Sequence, residues 1–164
     1  METASTSQTA IEAMQNGDVD LVQMEVPDLN GALRGKFVSA KKVAGTSKSA
    51  ICTVLYQMTP VDDVWASQHS SHENGFPDVF GVPDLDTAIE LPWRQGMAAV
   101  IYDVAYPDGS PFPLAPRSVL RNVAERFAET GYTPVFGVEF EAFVFHADRE
   151  VMEAGRHHDL VSLG

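Results

Sequence analysis

Glu139 and Glu141 stand two residues apart inside an apolar run from Val135 to Phe145. Side chains on a β-strand repeat every two residues, so a strand here points both carboxylates to one face, about 7 Å apart. Phe136, Val138, Phe140 and Val144 then point to the other face. One face can bury itself while the other presents two like charges. Carboxylates held that way are costly to bury unless a cation or a base neutralises them. Hard divalent ions such as Mg²⁺ and Mn²⁺ take such oxygens as ligands. The same pattern also fits an edge strand with two solvated glutamates.

Other residues with chemical potential are weaker. His69, His72 and Glu73 sit close together, but Ser, Asn and Gly surround them and no helix aligns them as zinc ligands. A structural or solvated loop is the expectation there. His157-His158 falls in a polar stretch and is expected to be exposed. His146 continues the strand on the face opposite the glutamates. Cys52 lies in the apolar run Ala50–Leu55 and reads as a buried structural thiol. Neither a P-loop nor a dinucleotide fingerprint is present.

The elements that must position these groups read as follows. Val19–Val26 and Ala32–Val38 are strands joined by the turn sequence Pro27-Asp28-Leu29-Asn30-Gly31, making a hairpin. Ser39 is placed to cap a short helix to Val43. Ala50–Leu55 is a short buried strand. Tyr56–Pro83 has few periodic features and reads as a long functional or mobile loop. Met97–Val104 is a strand, and Ser110–Pro116 a proline-rich linker. From about Arg117 to Thr130 the apolar stripe Val119, Leu120, Val123, Phe127 and Ala128 predicts a helix, ended by Gly131.

Composition sets outer bounds. The 164 residues are 45% hydrophobic and 21% charged, which is globular material. A net charge of -12 argues against nucleic acid and against an anionic membrane surface. No apolar run has the length of a membrane span, and METASTSQTA lacks the pattern of a secretory signal. A single cysteine cannot form an internal disulfide, so a cytoplasmic protein is expected. The division expected is a polar N-terminal tail over 1–17, a small α+β domain over 18–113, and the incomplete start of another domain over 114–164. One helix and one or two strands cannot bury a core of their own, so a C-terminal part is expected to be missing.

Four separated motifs carry a family resemblance. They are Asp28-Leu29-Asn30-Gly31-Ala32-Leu33-Arg34-Gly35-Lys36; Pro83-Asp84-Leu85-Asp86-Thr87 followed by Leu91-Pro92-Trp93; Asp108-Gly109-Ser110-Pro111 followed by Pro116-Arg117 and Leu120; and Gly131-Tyr132 followed by Gly137-x-Glu139-x-Glu141. In that order, over residues 19 to 147, the chain resembles the N-terminal part of glutamine synthetase-type ligases. The resemblance implies an α+β fold, a β-grasp domain followed by the first helix and strand of a catalytic domain. It implies ATP, glutamate and an amine as substrates, and γ-glutamyl phosphate as the intermediate. Glu139 is implied to serve a Mg²⁺ or Mn²⁺ ion on the ATP side, and Glu141 an ion beside the glutamate and amine site. A ring-shaped homo-oligomer is also implied for the full-length protein, and this chain alone is expected to be inactive.

One departure bears on the substrate. Ammonia-using members carry an Asp-Gly-Ser-Ser segment after the strand that matches Ala50–Leu55, and it is absent here. Tyr56-Gln57-Met58-Thr59-Pro60-Val61-Asp62-Asp63-Val64-Trp65 stands in its place. Asp62 and Asp63 are the candidate amine-site charges in that loop. Relatives joining glutamate to polyamines or other organic amines become plausible, with Tyr56 and Trp65 packing on the larger amine. The simpler alternative is that both aromatics pack against the sheet. A different class of function is a non-catalytic, stand-alone β-grasp module that binds a partner or caps an oligomer.

Overall fold

The computed structural model describes residues 6–61 and 63–163. The chain divides into two compact units, one running to Tyr132 and one from Thr133.

The first unit is built on a mixed sheet. Its strands are β1 (Leu21–Pro27), β2 (Leu33–Ser39), β3 (Ser49–Cys52), β4 (Asp78–Pro83), β5 (Ile89–Glu90) and β6 (Met97–Ala105). The spatial order is β2-β1-β6-β4-β3, with β5 pairing a second stretch of β6. β1 and β6 are parallel, whereas β1–β2, β3–β4, β4–β6 and β5–β6 are antiparallel. Alternation puts Val22, Met24 and Val26 of β1 on the buried face beside Ala98, Val100, Tyr102 and Val104 of β6. Helices α1 (Thr6–Asn16) and α2 (Ala40–Ala44) add Ala10, Ala13, Met14, Ala40 and Val43 to that core. The sheet curls. β2 and β3 are its two edges, yet Lys36 Nζ of β2 donates to the Ala50 carbonyl of β3 at 2.9 Å.

Three departures from the sequence reading have physical causes. Residues 1–17 are not simply a polar tail: Thr6–Asn16 form α1, and Ala10, Ala13 and Met14 are buried. Those three lie on one helical stripe among Thr, Ser and Gln, and Gly17 (φ 87°) ends the helix. Strand β4 lies inside the expected Tyr56–Pro83 loop. Its Gly81 and Pro83 read as loop residues, but Gly81 is where a Cβ would meet Met24 Cε at 2.5 Å, Ile51 Cδ1 at 2.9 Å and Tyr102 Cδ1 at 3.0 Å. β3 stops at Cys52, after which Thr53–Tyr56 turn as a short 3-10 helix.

The hairpin turn is locked by one carboxylate. Asp28, 2% exposed, accepts from the Asn30 and Ala32 amides at 2.9 and 2.8 Å and from Arg34 Nε at 2.8 Å. Burial pushes its carboxyl up, but Arg34 and the two amides outweigh burial and hold it below the usual carboxylate range. A depressed folded pKa gives stability that is present above the unfolded value, about 3.9, and lost as pH falls through the folded one. Asp28→Asn is therefore expected to be less stable than the parent at pH 7. Denaturant midpoints across pH check this: the gap should narrow below about pH 3.9, and a gap independent of pH would contradict it.

Helix α3 (Pro116–Glu129) opens with proline at its first turn, where a missing amide hydrogen costs no helical bond. Arg117 pairs with Asp84, and Arg121 pairs with Asp103 Oδ2 at 2.7 Å. The helix belongs to the first unit, beyond the boundary expected at 113. Its stripe is open: Val119, Leu120, Val123 and Phe127 are 43–59% exposed.

The second unit holds α4 (Arg149–Glu153), capped by Asp148, and a short 3-10 turn at His157–Asp159. The strand expected over Val135–Phe145 is not formed; the segment has a single bridge, Phe145 to Ser162. A strand needs a neighbour for its backbone hydrogen bonds, and among the described residues only the end of this segment has one, where the Leu163 amide donates to the Val144 carbonyl at 2.9 Å. Val135, Val138, Phe140 and Phe143 are 79–95% exposed.

Candidate functional site

The two expected metal ligands lie in the unpaired segment of the second unit. Glu139 and Glu141 are both exposed. No group of three or more His, Cys, Asp or Glu side chains comes together among the described residues. The pair fits a hard divalent ion by donor type, since both offer carboxylate oxygens. It falls short in number, because such ions take about six oxygens. Whether the two point to one face depends on strand geometry that this segment does not adopt here.

The loop after β3 is better defined. Thr59 and Asp63 close it: the Thr59 amide donates to the Asp63 carbonyl at 2.8 Å, and the Asp63 amide to Thr59 Oγ1 at 3.1 Å. Met58 and Val64 form a bridge behind them. Asp63 therefore closes the base of this turn, and it is exposed. Asp62 lies outside the described residues. The two aromatics differ in fate. Tyr56 is 2% exposed, with its ring 5.2 Å from that of Phe112. Trp65 is 72% exposed and does not pack against the sheet.

His69 and His72 hold structure. His69 Nδ1 is 3.0 Å from Tyr106 Oη, and its ring meets Phe112 edge-on. His72 meets Phe76 edge-on at 4.9 Å. His157 and His158 are exposed. Cys52 is half-buried rather than buried, a free thiol 3.6 Å from the Phe76 carbonyl oxygen. No helix among the described residues is long and apolar enough to cross a membrane.

Three of the sequence motifs now have a structural meaning. Asp84 of the second and Arg117 of the third meet as an ion pair, and Asp28 of the first organises its own turn. These residues join and brace elements of the first unit.

Comparison with known proteins decides the family. Gamma-glutamylethanolamide synthetase GlnA4 of Streptomyces coelicolor is 35% identical over 133 residues, 79% of this chain and 29% of the relative. The glutamine synthetase of Rhizobium leguminosarum bv. phaseoli is 33% identical over 125 residues, 76% of this chain and 26% of the relative. This chain belongs to the glutamine synthetase family. A third relative, the glutamate–isopropylamine ligase of a Pseudomonas species, is 28% identical over 137 residues, 81% of this chain and 30% of the relative. The chain thus spans under a third of the length of these family members. Among solved structures, unliganded GmaS matches with a TM-score of 0.56 at 24% identity over 73% of this chain and 26% of its own. A glutamine synthase homologue matches at 0.57, with 23% identity over 68% of this chain and 27% of its own. These two establish likeness of fold. No family model matches.

Proposed function

We propose that the protein containing this chain is an ATP-dependent ligase that joins the γ-carboxylate of glutamate to an amine. Its relatives support the reaction class, and their names support more than one acceptor: ammonia in the glutamine synthetases, ethanolamine and isopropylamine in others. The observation that carries the reading is the similarity over four-fifths of the chain together with the Glu139-x-Glu141 pair inside the matched family pattern. A β-grasp description of the first unit goes with it, supported by the parallel β1–β6 pair at the sheet centre with the β2 hairpin on one side and the β4–β3 pair on the other.

The chemistry has two steps. A γ-carboxylate oxygen of glutamate attacks the γ-phosphorus of ATP, and ADP leaves. The amine nitrogen then attacks the acyl carbon, the C–O bond to phosphate breaks, and the nitrogen gives up a proton. Glu139 and Glu141 are the residues of this chain that would hold Mg²⁺ or Mn²⁺. When bound, the metal supplies Lewis-acid stabilisation of the phosphoryl oxygens. The carboxylates' own role is to fix that charge in place and to keep a negative wall beside the cationic or amine substrate. A cytoplasmic setting and assembly into a homo-oligomeric ring complete the proposal; the free thiol of Cys52 supports the first.

An organic amine is the preferred acceptor in this reading. The loop that carries an acidic ammonium-binding segment in ammonia-using members has here an exposed Trp65 and an exposed Asp63. Initial rates of phosphate release from the full-length protein, with glutamate, ATP and a panel of amines, test this. A compact organic amine should give a higher kcat/KM than ammonium. The reverse order would leave a glutamine synthetase with a divergent loop.

A further inference from the structure

Between the β1–β2 turn and the loop from Gln57 to Ser67 lies a cavity of about 400 Å³. Small-molecule sites fall in the range of about 300–1,000 Å³ and are mostly apolar, with a few polar groups that orient the ligand. Leu29, Tyr56, Met58, Pro60, Trp65 and Leu114 supply the apolar lining. Asn30 Nδ2 donates to the Met58 carbonyl at 2.9 Å and ties the turn to the loop. Tyr56 is fixed by its contact with Phe112, so one wall is rigid. Trp65, 72% exposed, leaves a large indole without cover. No Asp, Glu, Lys or Arg lines the space among the described residues.

Two of the lining side chains carry unmet polar demand. Tyr56 Oη and Gln57 Oε1 are buried without a hydrogen-bond partner. Gln57 Nε2 is already engaged with Ser67 Oγ, so Oε1 remains as a pure acceptor. A buried polar atom left unpaired costs about 1–3 kcal/mol, so a ligand that brings an N–H donor has something to gain. The same ligand needs an apolar body to cover Trp65 and Leu29.

We infer that this cavity binds a small primary amine that carries a compact apolar or aromatic group, of a size from isopropylamine to benzylamine. That the donor is an amine rests on the ligase reading above; the need for an apolar body and a donor rests on the cavity. Polyamines do not fit. One ammonium group finds Tyr56 Oη and Gln57 Oε1 as acceptors, whereas a second would lie over the apolar side chains of the described lining, where an unpaired charge is strongly unfavourable. Asp63, the acidic residue described in this loop, is not among the described lining residues. Ammonium brings a donor but leaves the apolar wall bare.

The chain has two tryptophans, so in a Trp93→Phe background Trp65 alone reports. Fluorescence titrations of the 164-residue chain with benzylamine, isopropylamine, benzyl alcohol, putrescine and ammonium chloride test the site. Saturable changes are expected with the two apolar amines and not with putrescine or ammonium. Benzyl alcohol should bind about tenfold more weakly than benzylamine, as should benzylamine to Gln57→Leu, the loss of a hydrogen bond to a charged donor. Tyr56→Phe keeps the ring and the packing, and should weaken binding while leaving circular dichroism unchanged. No saturable change with either apolar amine, or equal binding of benzyl alcohol and benzylamine, would overturn the assignment. The ligase reading fails separately. A full-length protein that makes no γ-glutamyl product while Trp65 still reports amine binding would sink the reaction and keep the site. A working ligase whose amine selectivity ignores Tyr56→Phe and Gln57→Leu would sink the site and keep the reaction.

Discussion

Glu139→Gln in the full-length protein is expected to lower kcat for glutamate-dependent ATP turnover by two to three orders of magnitude, roughly the loss seen when one transition-state stabilising contact is removed. The amide keeps the shape of the carboxylate and removes its charge. Phosphoryl transfer spreads negative charge over the transferred oxygens, and most of its catalysis is positioning and neutralisation of that charge. A metal held by one carboxylate fewer is bound more weakly and placed less well. Glu141→Gln should weaken a second ion, with the larger effect on glutamate and amine KM. Mn²⁺ binding followed by paramagnetic resonance separates the two variants from a folding defect, because both side chains are exposed and neither carries packing. Mn²⁺ affinity and turnover unchanged in both variants would remove the metal assignment.

Gly35→Ala is expected to cost the first unit about 3 kcal/mol or more, the upper range for overpacking. Gly35 sits opposite Glu25 in the β1–β2 ladder, and a Cβ there would run into the carbonyl oxygen of Met24. A flexible side chain could move aside, but that oxygen belongs to a central strand whose other edge is paired with β6. The clash is resolved only by opening the hairpin. Gly81→Ala meets side-chain atoms instead, with the mobile end of Met24 nearest, and should cost less. At Gly137 nothing lies within 4 Å, so Gly137→Ala should stay within about 0.5 kcal/mol. Denaturant midpoints of the three variants check this order. Equal effects at Gly35 and Gly137 would show that the hairpin tolerates a side chain.

The hairpin was legible in the sequence because its signals are local. Asp28, Asn30 and Gly31 make the turn, and alternation in Val22, Met24 and Val26 marks the buried face. β6 was legible for the same reason. β4 was not, because its Gly81 and Pro83 answer to distant neighbours: Met24, Ile51 and Tyr102 crowd the one, and Tyr102 of β6 pairs with the other. α1 was hidden by its polar composition, with only Ala10, Ala13 and Met14 to mark its inner stripe. The segment Val135–Phe145 shows the converse. Its period-two pattern is clear, but pattern alone forms no ladder without a neighbouring strand. Of the site, Glu139 and Glu141 were visible by spacing. The cavity was legible only in part: Tyr56 and Trp65 stood out in the divergent loop, but Leu29, Gln57 and Leu114 lie far apart in sequence and carry no motif.

The most direct test of the ligase assignment follows an oxygen atom. Glutamate labelled with oxygen-18 in its γ-carboxylate is supplied to the full-length protein with ATP and isopropylamine, and the released phosphate is examined by mass spectrometry. If the γ-carboxylate attacks the γ-phosphorus and the amine then displaces phosphate, one labelled oxygen must leave with each phosphate. That transfer is expected, together with formation of the γ-glutamyl amide. Phosphate free of label, or ATP turnover that proceeds without glutamate, would contradict it.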